Sequence, residues 1–118
     1  MPYSDDQEEA FPYVTISTDD ARRMIDAGVR VIDVRQPDEW DRGHIPDATL
    51  VPLNGIYSFA KALKDLDIPE DEDIIFTCAV GQRSATAAEI ALVAGFKKVY
   101  NLANGMNGWV GRRYPIER

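Results

Sequence analysis

Ile74-Ile75-Phe76-Thr77-Cys78-Ala79-Val80-Gly81-Gln82-Arg83-Ser84 decides the fold, and the rest of the chain is arranged around it. The stretch opens as an apolar run of β-favouring side chains, the pattern of a buried strand. It then delivers the only cysteine in the protein. A short loop follows, with Gly81 inside it and Arg83 closing it. Next comes Ser84-Ala85-Thr86-Ala87-Ala88-Glu89-Ile90-Ala91-Leu92, a strong helix former. A thiol therefore ends a strand just before a helix begins. The N–H groups of the loop and first helical turn have no intrahelical partners and point back toward it. Such a place favours an anion, and a thiolate is one.

A free thiol titrates near ~8.5, and beside a helix N-terminus and a cation this falls to roughly 3.5–7.5. The helix dipole contributes up to ~2 kcal/mol in a partly buried geometry, and Arg83 adds to it. A lone cysteine ordinarily packs as a small hydrophobe. The glycine, the arginine and the helix start immediately downstream reverse that reading, and Cys78 is read as a nucleophile.

Outward from this centre, strands and helices alternate. Tyr13 to Ile16 reads as a short strand. Ser17 or Thr18 caps a helix that carries Ala21, Met24 and Ile25 on one face, with Asp19 and Asp20 in its first turn. Val29 to Val34 is a largely apolar strand of the kind buried in a parallel sheet. Asp38 to Arg42 is a short helix behind Pro37, and Ala48 to Val51 a third strand. Ile56 to Leu66 shows helical periodicity in Phe59, Leu63 and Leu66. Lys97 to Leu102 is the last strand, and a short segment with Trp109 closes the chain. The alternation predicts an α/β domain on a mainly parallel sheet of about five strands, with its site at the strands' carboxyl ends. Cys78 and Arg35 both stand at such ends.

Composition bounds the function. The 118 residues suffice for one core, and residues 13–118 are expected to form a single domain behind a flexible acidic arm over residues 1–12. A net charge of -7 and a pI near 4.6 argue against nucleic acid or an anionic membrane as partner. One cysteine forms no internal disulfide, and with one histidine it builds no zinc site, so neither metal nor cofactor is expected. Met1 to Ala10 has no basic region followed by an apolar one, and no apolar run is long enough for a membrane span. The expected location is the cytoplasm.

Three stretches together resemble the single-domain rhodaneses, a family of sulfurtransferases. They are Val31-Ile32-Asp33-Val34-Arg35 with Glu39 and Trp40, then Gly43-His44-Ile45-Pro46-Asp47-Ala48, then the loop from Cys78 to Ser84. The last matches the family's pattern of Cys, four residues, Arg, and Ser or Thr. The resemblance runs from Ile16 to Trp109. It implies a three-layer domain with helices on both faces of the sheet, and transfer of a sulfane sulfur through a persulfide on Cys78. The donor would be a small molecule such as thiosulfate. The acceptor would be cyanide or a thiol, with a thiol-carrying protein among the candidates. The chain departs from the family where Asp47 stands for a glycine and Asn104-Gly105 for a pair of glycines; Asn104 is expected to tolerate a left-handed backbone.

On this reading the N–H groups of Ala79, Val80, Gly81, Gln82, Arg83 and Ser84 hold the persulfide anion, and Gly81 lets the loop curl. Arg83 faces the donor, locks the loop by pairing with an internal carboxylate, or does both. Ser84 caps the helix or bonds the terminal sulfur. Asp33 and Arg35 either position the site or form an internal ion pair that includes Glu39. His44 has the chemistry of a base, but an ionised thiol requires none, and the resemblance makes His44 part of a turn; Trp40 and Trp109 are packing residues. Two rivals stand beside this reading. A phosphatase or arsenate reductase on a similar fold follows the pattern Cys, five residues, Arg, whose extra residue widens the cradle for a tetrahedral oxyanion. A non-catalytic interaction or scaffold domain keeps the fold without turnover.

Overall fold

The computed structural model describes residues 13–118, so the acidic arm expected over residues 1–12 lies outside the described residues. The elements follow in the order β1 (Val14–Ile16), α1 (Thr18–Asp26), β2 (Arg30–Asp33), α2 (Pro37–Asp41), β3 (Thr49–Leu50), α3 (Ile56–Asp65), β4 (Asp73–Thr77), α4 (Gln82–Val93), β5 (Lys98–Leu102) and α5 (Gly105–Gly111). Among the described residues the five strands form one parallel sheet in the order β1-β5-β4-β2-β3. The strand that ends at Cys78 is therefore the central one. Its register sets Ile75 beside Val31 and Tyr100, and Thr77 beside Asp33.

Alternation along the central strands builds two cores, one on each face of the sheet. Ile32, Ile74, Phe76 and Cys78 point to one side, where they meet Phe59 and Leu63 of α3 and Ala87, Ala88 and Ala91 of α4. The alanines carry little bulk, so α4 lies close against the strands. Val31, Ile75 and Leu102 point to the other side and meet Ala21 of α1 with Met106 and Trp109 of α5. Helices thus cover both faces. No helix among the described residues is long and apolar enough to cross a membrane.

Local signals fix the boundaries. Ser17 Oγ accepts from Asp20 N at 3.1 Å and starts α1, with Asp19 and Asp20 in the first turn. Pro37 occupies the start of α2, and Glu39 Oε1 reaches back to accept from Gln36 N at 2.9 Å. The third strand is shorter than its sequence suggests. Only Thr49 and Leu50 pair regularly with β2, after which Val51 N and Leu53 N reach Asp33 O and Val34 O on either side of Pro52, which has no N–H to give. Asp47 adopts φ 69°, which accounts for glycine at this place in the related pattern; aspartate is one of the few other residues that enter the left-handed region readily.

Candidate active site

Cys78 follows the last residue of β4, and its Sγ faces the opening of α4. Gly81 N donates to Sγ at 3.1 Å and Ser84 N at 3.3 Å, while Ser84 Oγ lies 3.3 Å away. These inward N–H groups have an outward counterpart. Cys78 O accepts from Met106 N at 2.7 Å and Ala79 O from Asn107 N at 3.0 Å. The first turn of α5 thus gives its own unpartnered N–H groups to the loop's carbonyls. The peptide that carries Ala79 O also carries Val80 N, so holding that oxygen outward turns the Val80 N–H toward the sulfur.

This clasp needs two glycines. Gly105, φ 54°, brings the start of α5 so near the loop that a Cβ there would meet Ala79 O at 2.6 Å and Cys78 O closer still. Gly81, φ 102°, lies in the same way against the Ala103 carbonyl. The left-handed residue of the Asn104-Gly105 pair is therefore the glycine. Asn104 has φ -108°, so the left-handed tolerance expected of it is not what accommodates it.

Burial of the thiol pushes its pKa up. The Ser84 hydroxyl and the N–H groups of Ser84, Gly81 and Val80 outweigh that cost, and the net result lies below the ordinary thiol value. Cys78 itself exposes no surface, whereas Val80 and Gln82 form the exposed crest of the loop.

Arg83 forms a two-pronged pair with Glu39, Nη1 to Oε1 at 2.7 Å and Nη2 to Oε2 at 2.8 Å. This pair is the contact that the loop-locking role requires. The Arg83 guanidinium, with Gln36 N and the charge of Arg35, holds the Glu39 carboxyl down to about 2 against the cost of partial burial. Asp33 and Arg35 form a separate buried pair at 2.8 Å, and Arg35 also donates to Gly43 O at 2.8 Å. Glu39 is not a member of that pair. His44 stacks flat on Trp40 at 3.5 Å and bonds Trp40 O through Nδ1 at 3.0 Å, as a turn residue would. Trp109 is buried and donates to Pro115 O at 2.7 Å.

Sequence reasoning passed over two contributors, Asn101 and Gly105. Ser84 Oγ donates to Asn101 Oδ1 at 2.6 Å, and Asn101 Nδ2 donates to Gly81 O at 3.2 Å. A signal for Asn101 was present, since a carboxamide interrupts the run Val99-Tyr100-Asn101-Leu102 one residue before the strand ends.

The rhodanese-like domain model matches residues 17–112. A putative sulfur carrier protein, YrkF of Bacillus subtilis, is 29% identical over 93% of this chain and 57% of its own length. The chain thus spans little more than half of that relative. Thiosulfate sulfurtransferase 18 of Arabidopsis thaliana is 31% identical over 87% of this chain and 82% of its own. A rhodanese-related protein from Thermoplasma volcanium superimposes with a TM-score of 0.75 at 30% identity, covering 89% of this chain and 98% of its own.

Proposed function

Because the chain belongs to the rhodanese-like domain family, we propose that it moves a sulfane sulfur from a small donor to a nucleophilic acceptor through a persulfide on Cys78. Relatives named sulfurtransferase and sulfur carrier support a sulfurtransferase-family role. The observation that carries the reading is the pair of N–H groups, Gly81 N and Ser84 N, aimed at one sulfur atom.

In the first step the Cys78 thiolate attacks the outer sulfur of a donor such as thiosulfate. The new S–S bond forms as the donor's S–S bond breaks, and sulfite leaves with the bonding pair. Negative charge now rests on the outer sulfur of the persulfide. The N–H groups of the loop from Ala79 to Ser84 stabilise it as preorganised dipoles. In the second step an acceptor thiolate, or cyanide in an assay, attacks that outer sulfur, and Cys78 leaves as the thiolate. Covalent catalysis of this kind replaces one hard step by two easier ones. Arg83 is engaged with Glu39, so a dianionic donor meets main-chain donors at the loop rather than a free guanidinium. Asp33 and Arg35 act at one remove by fixing the Gly43 turn. The shielding of Cys78 implies that the crest at Val80 and Gln82 yields when the donor enters.

Incubation with thiosulfate is expected to add the mass of one sulfur atom to Cys78, removable by cyanide. Cys78→Ala should abolish turnover and leave the fold intact. Hydrolysis of p-nitrophenyl phosphate by the wild type but not by Cys78→Ser would overturn the reading in favour of a phosphatase. Tight capture of a protein partner, with no thiocyanate formed, would favour a scaffold.

A further inference from the structure

The hydrogen-bond chain behind Cys78 has a direction. Gly81 O is only an acceptor, so the Asn101 amide must present Nδ2 to it, at 3.2 Å, and Oδ1 to Ser84, at 2.6 Å. Oδ1 in turn accepts only, so Ser84 must donate its single hydroxyl proton there. With that proton committed, the 3.3 Å contact between Cys78 Sγ and Ser84 Oγ is made by the thiol donating to the hydroxyl. With Cys78 protonated, the chain therefore runs from S–H to Ser84 O–H to Asn101 Oδ1. Asn101 and Ser84 are both buried, so the two groups depend on each other for partners.

Ionisation of Cys78 breaks this arrangement. A thiolate has no proton to give, and Ser84 Oγ stabilises it only by turning its own proton from Asn101 to the sulfur. Asn101 Oδ1 then loses the donor of its 2.6 Å bond. We propose that Asn101 is a positioning residue that competes with Cys78 Sγ for the Ser84 hydroxyl, holding the thiolate short of full stabilisation. This rests on Cys78 being the sulfur-carrying nucleophile. A thiolate that is stabilised too well attacks slowly, because nucleophilicity falls with pKa. Once the sulfur is transferred, charge sits on the outer atom of the persulfide and the inner sulfur is neutral. The hydroxyl is then free to return to Asn101. The competition thus opposes charge on Sγ and favours its passage outward.

The charged side chains near the sulfur do not provide this effect. Arg83 is paired with Glu39, and Asp33 with Arg35. From β5 the neutral Asn101 faces the site, and α5 meets Cys78 through the main chain of Met106.

The alternative role for Asn101 is a plain anchor of the loop through Gly81 O, and the two roles predict opposite signs. Loss of an anchor loosens the N–H groups and raises the thiol pKa. Loss of a competitor lowers it. The test is the ultraviolet thiolate titration of wild type, Asn101→Leu, Ser84→Ala and the double variant, with alkylation rates read on the fully ionised plateau. Asn101→Leu is expected to lower the midpoint by roughly one unit and to slow plateau alkylation about threefold. In the Ser84→Ala background the Asn101 substitution should no longer lower it. A midpoint unchanged or raised in Asn101→Leu, or a decrease that persists undiminished without the Ser84 hydroxyl, would overturn the proposal. Asn101→Ala needs no extra room and should shift the same way, so it decides the matter if Asn101→Leu does not fold. The titration stands apart from sulfur transfer: if wild type takes up no sulfur from any donor, the functional reading fails whatever the midpoints show.

Discussion

Alanine at position 105 should injure the site from a distance, and the structure sets the size of the effect. Its Cβ would come within 2.6 Å of Ala79 O and nearer still to Cys78 O, inside the 3.0 Å that real side chains respect. The residue would also be held at φ 54°, which costs a non-glycine residue roughly 1–2 kcal/mol. Relief requires α5 to back away from the loop by roughly 1 Å, which takes the Met106 and Asn107 bonds past normal length. Losing those two bonds adds on the order of 1 kcal/mol each. The total is about 3–4 kcal/mol, or a fall in Tm of roughly 10–15 °C for a domain of this size. Two glycines calibrate the number. Gly28 has φ 100° with nothing within 4 Å of a Cβ, so Gly28→Ala should show the backbone term alone. Gly111 is helical and equally open, so Gly111→Ala should be neutral or slightly stabilising. Urea denaturation of the three variants gives the energies, and the Cys78 titration reports on the loop. Gly105→Ala should raise the thiol midpoint as Ala79 O is released and the Val80 N–H of the same peptide swings off the sulfur. If Gly105→Ala costs no more than Gly28→Ala and leaves the midpoint in place, α5 does not orient the loop.

The remaining predictions concern the charged groups and the loop length. Glu39 titrates at about 2 in the folded protein and near ~4.3 when unfolded. Its lowered pKa means that the pair with Arg83 stabilises fully above the unfolded value and fades as pH falls from there through about 2. The stability difference between wild type and Glu39→Gln should therefore be constant above pH ~5 and shrink below it; a difference that does not change with pH would remove the ion pair from the account. Asp33→Ala leaves Arg35 buried without its counter-charge and should cost about 3–5 kcal/mol in urea denaturation, whereas a loss under ~1 kcal/mol would match an exposed pair instead. One residue inserted between Gly81 and Gln82 should weaken sulfur transfer to cyanide, since Gly81 N and Ser84 N then no longer meet at one atom; an insertion variant as active as wild type would contradict the fit of the loop to sulfur.

The local part of this structure was written in a local stretch of sequence. The run from Ile74 to Ser84 carries its strand, glycine and helix start within a few residues, so the place of Cys78 was legible without knowledge of the fold. The alternation of apolar strands and helices likewise foretold the parallel sheet. The Arg83–Glu39 pair was harder to read, because its members lie 44 residues apart and only the fold brings α2 to α4. Asn101 and Gly105 were missed for the same reason. Each acts on a loop more than 15 residues upstream, through contacts set by the position of β5 beside β4. Asn104 was misjudged because a paired motif does not say which member takes the left-handed conformation. Only the close approach of α5 to Cys78 O and Ala79 O assigns it to Gly105.

The titration of Cys78 in the unmodified protein tests the central claim most directly, since the account depends on main-chain N–H groups overcoming the burial of a sulfur anion. Followed by thiolate absorbance, the midpoint should fall below the ~8.5 of a free thiol. A midpoint at or above that value would mean that burial prevails, and the loop would then hold a neutral thiol in place of a nucleophile.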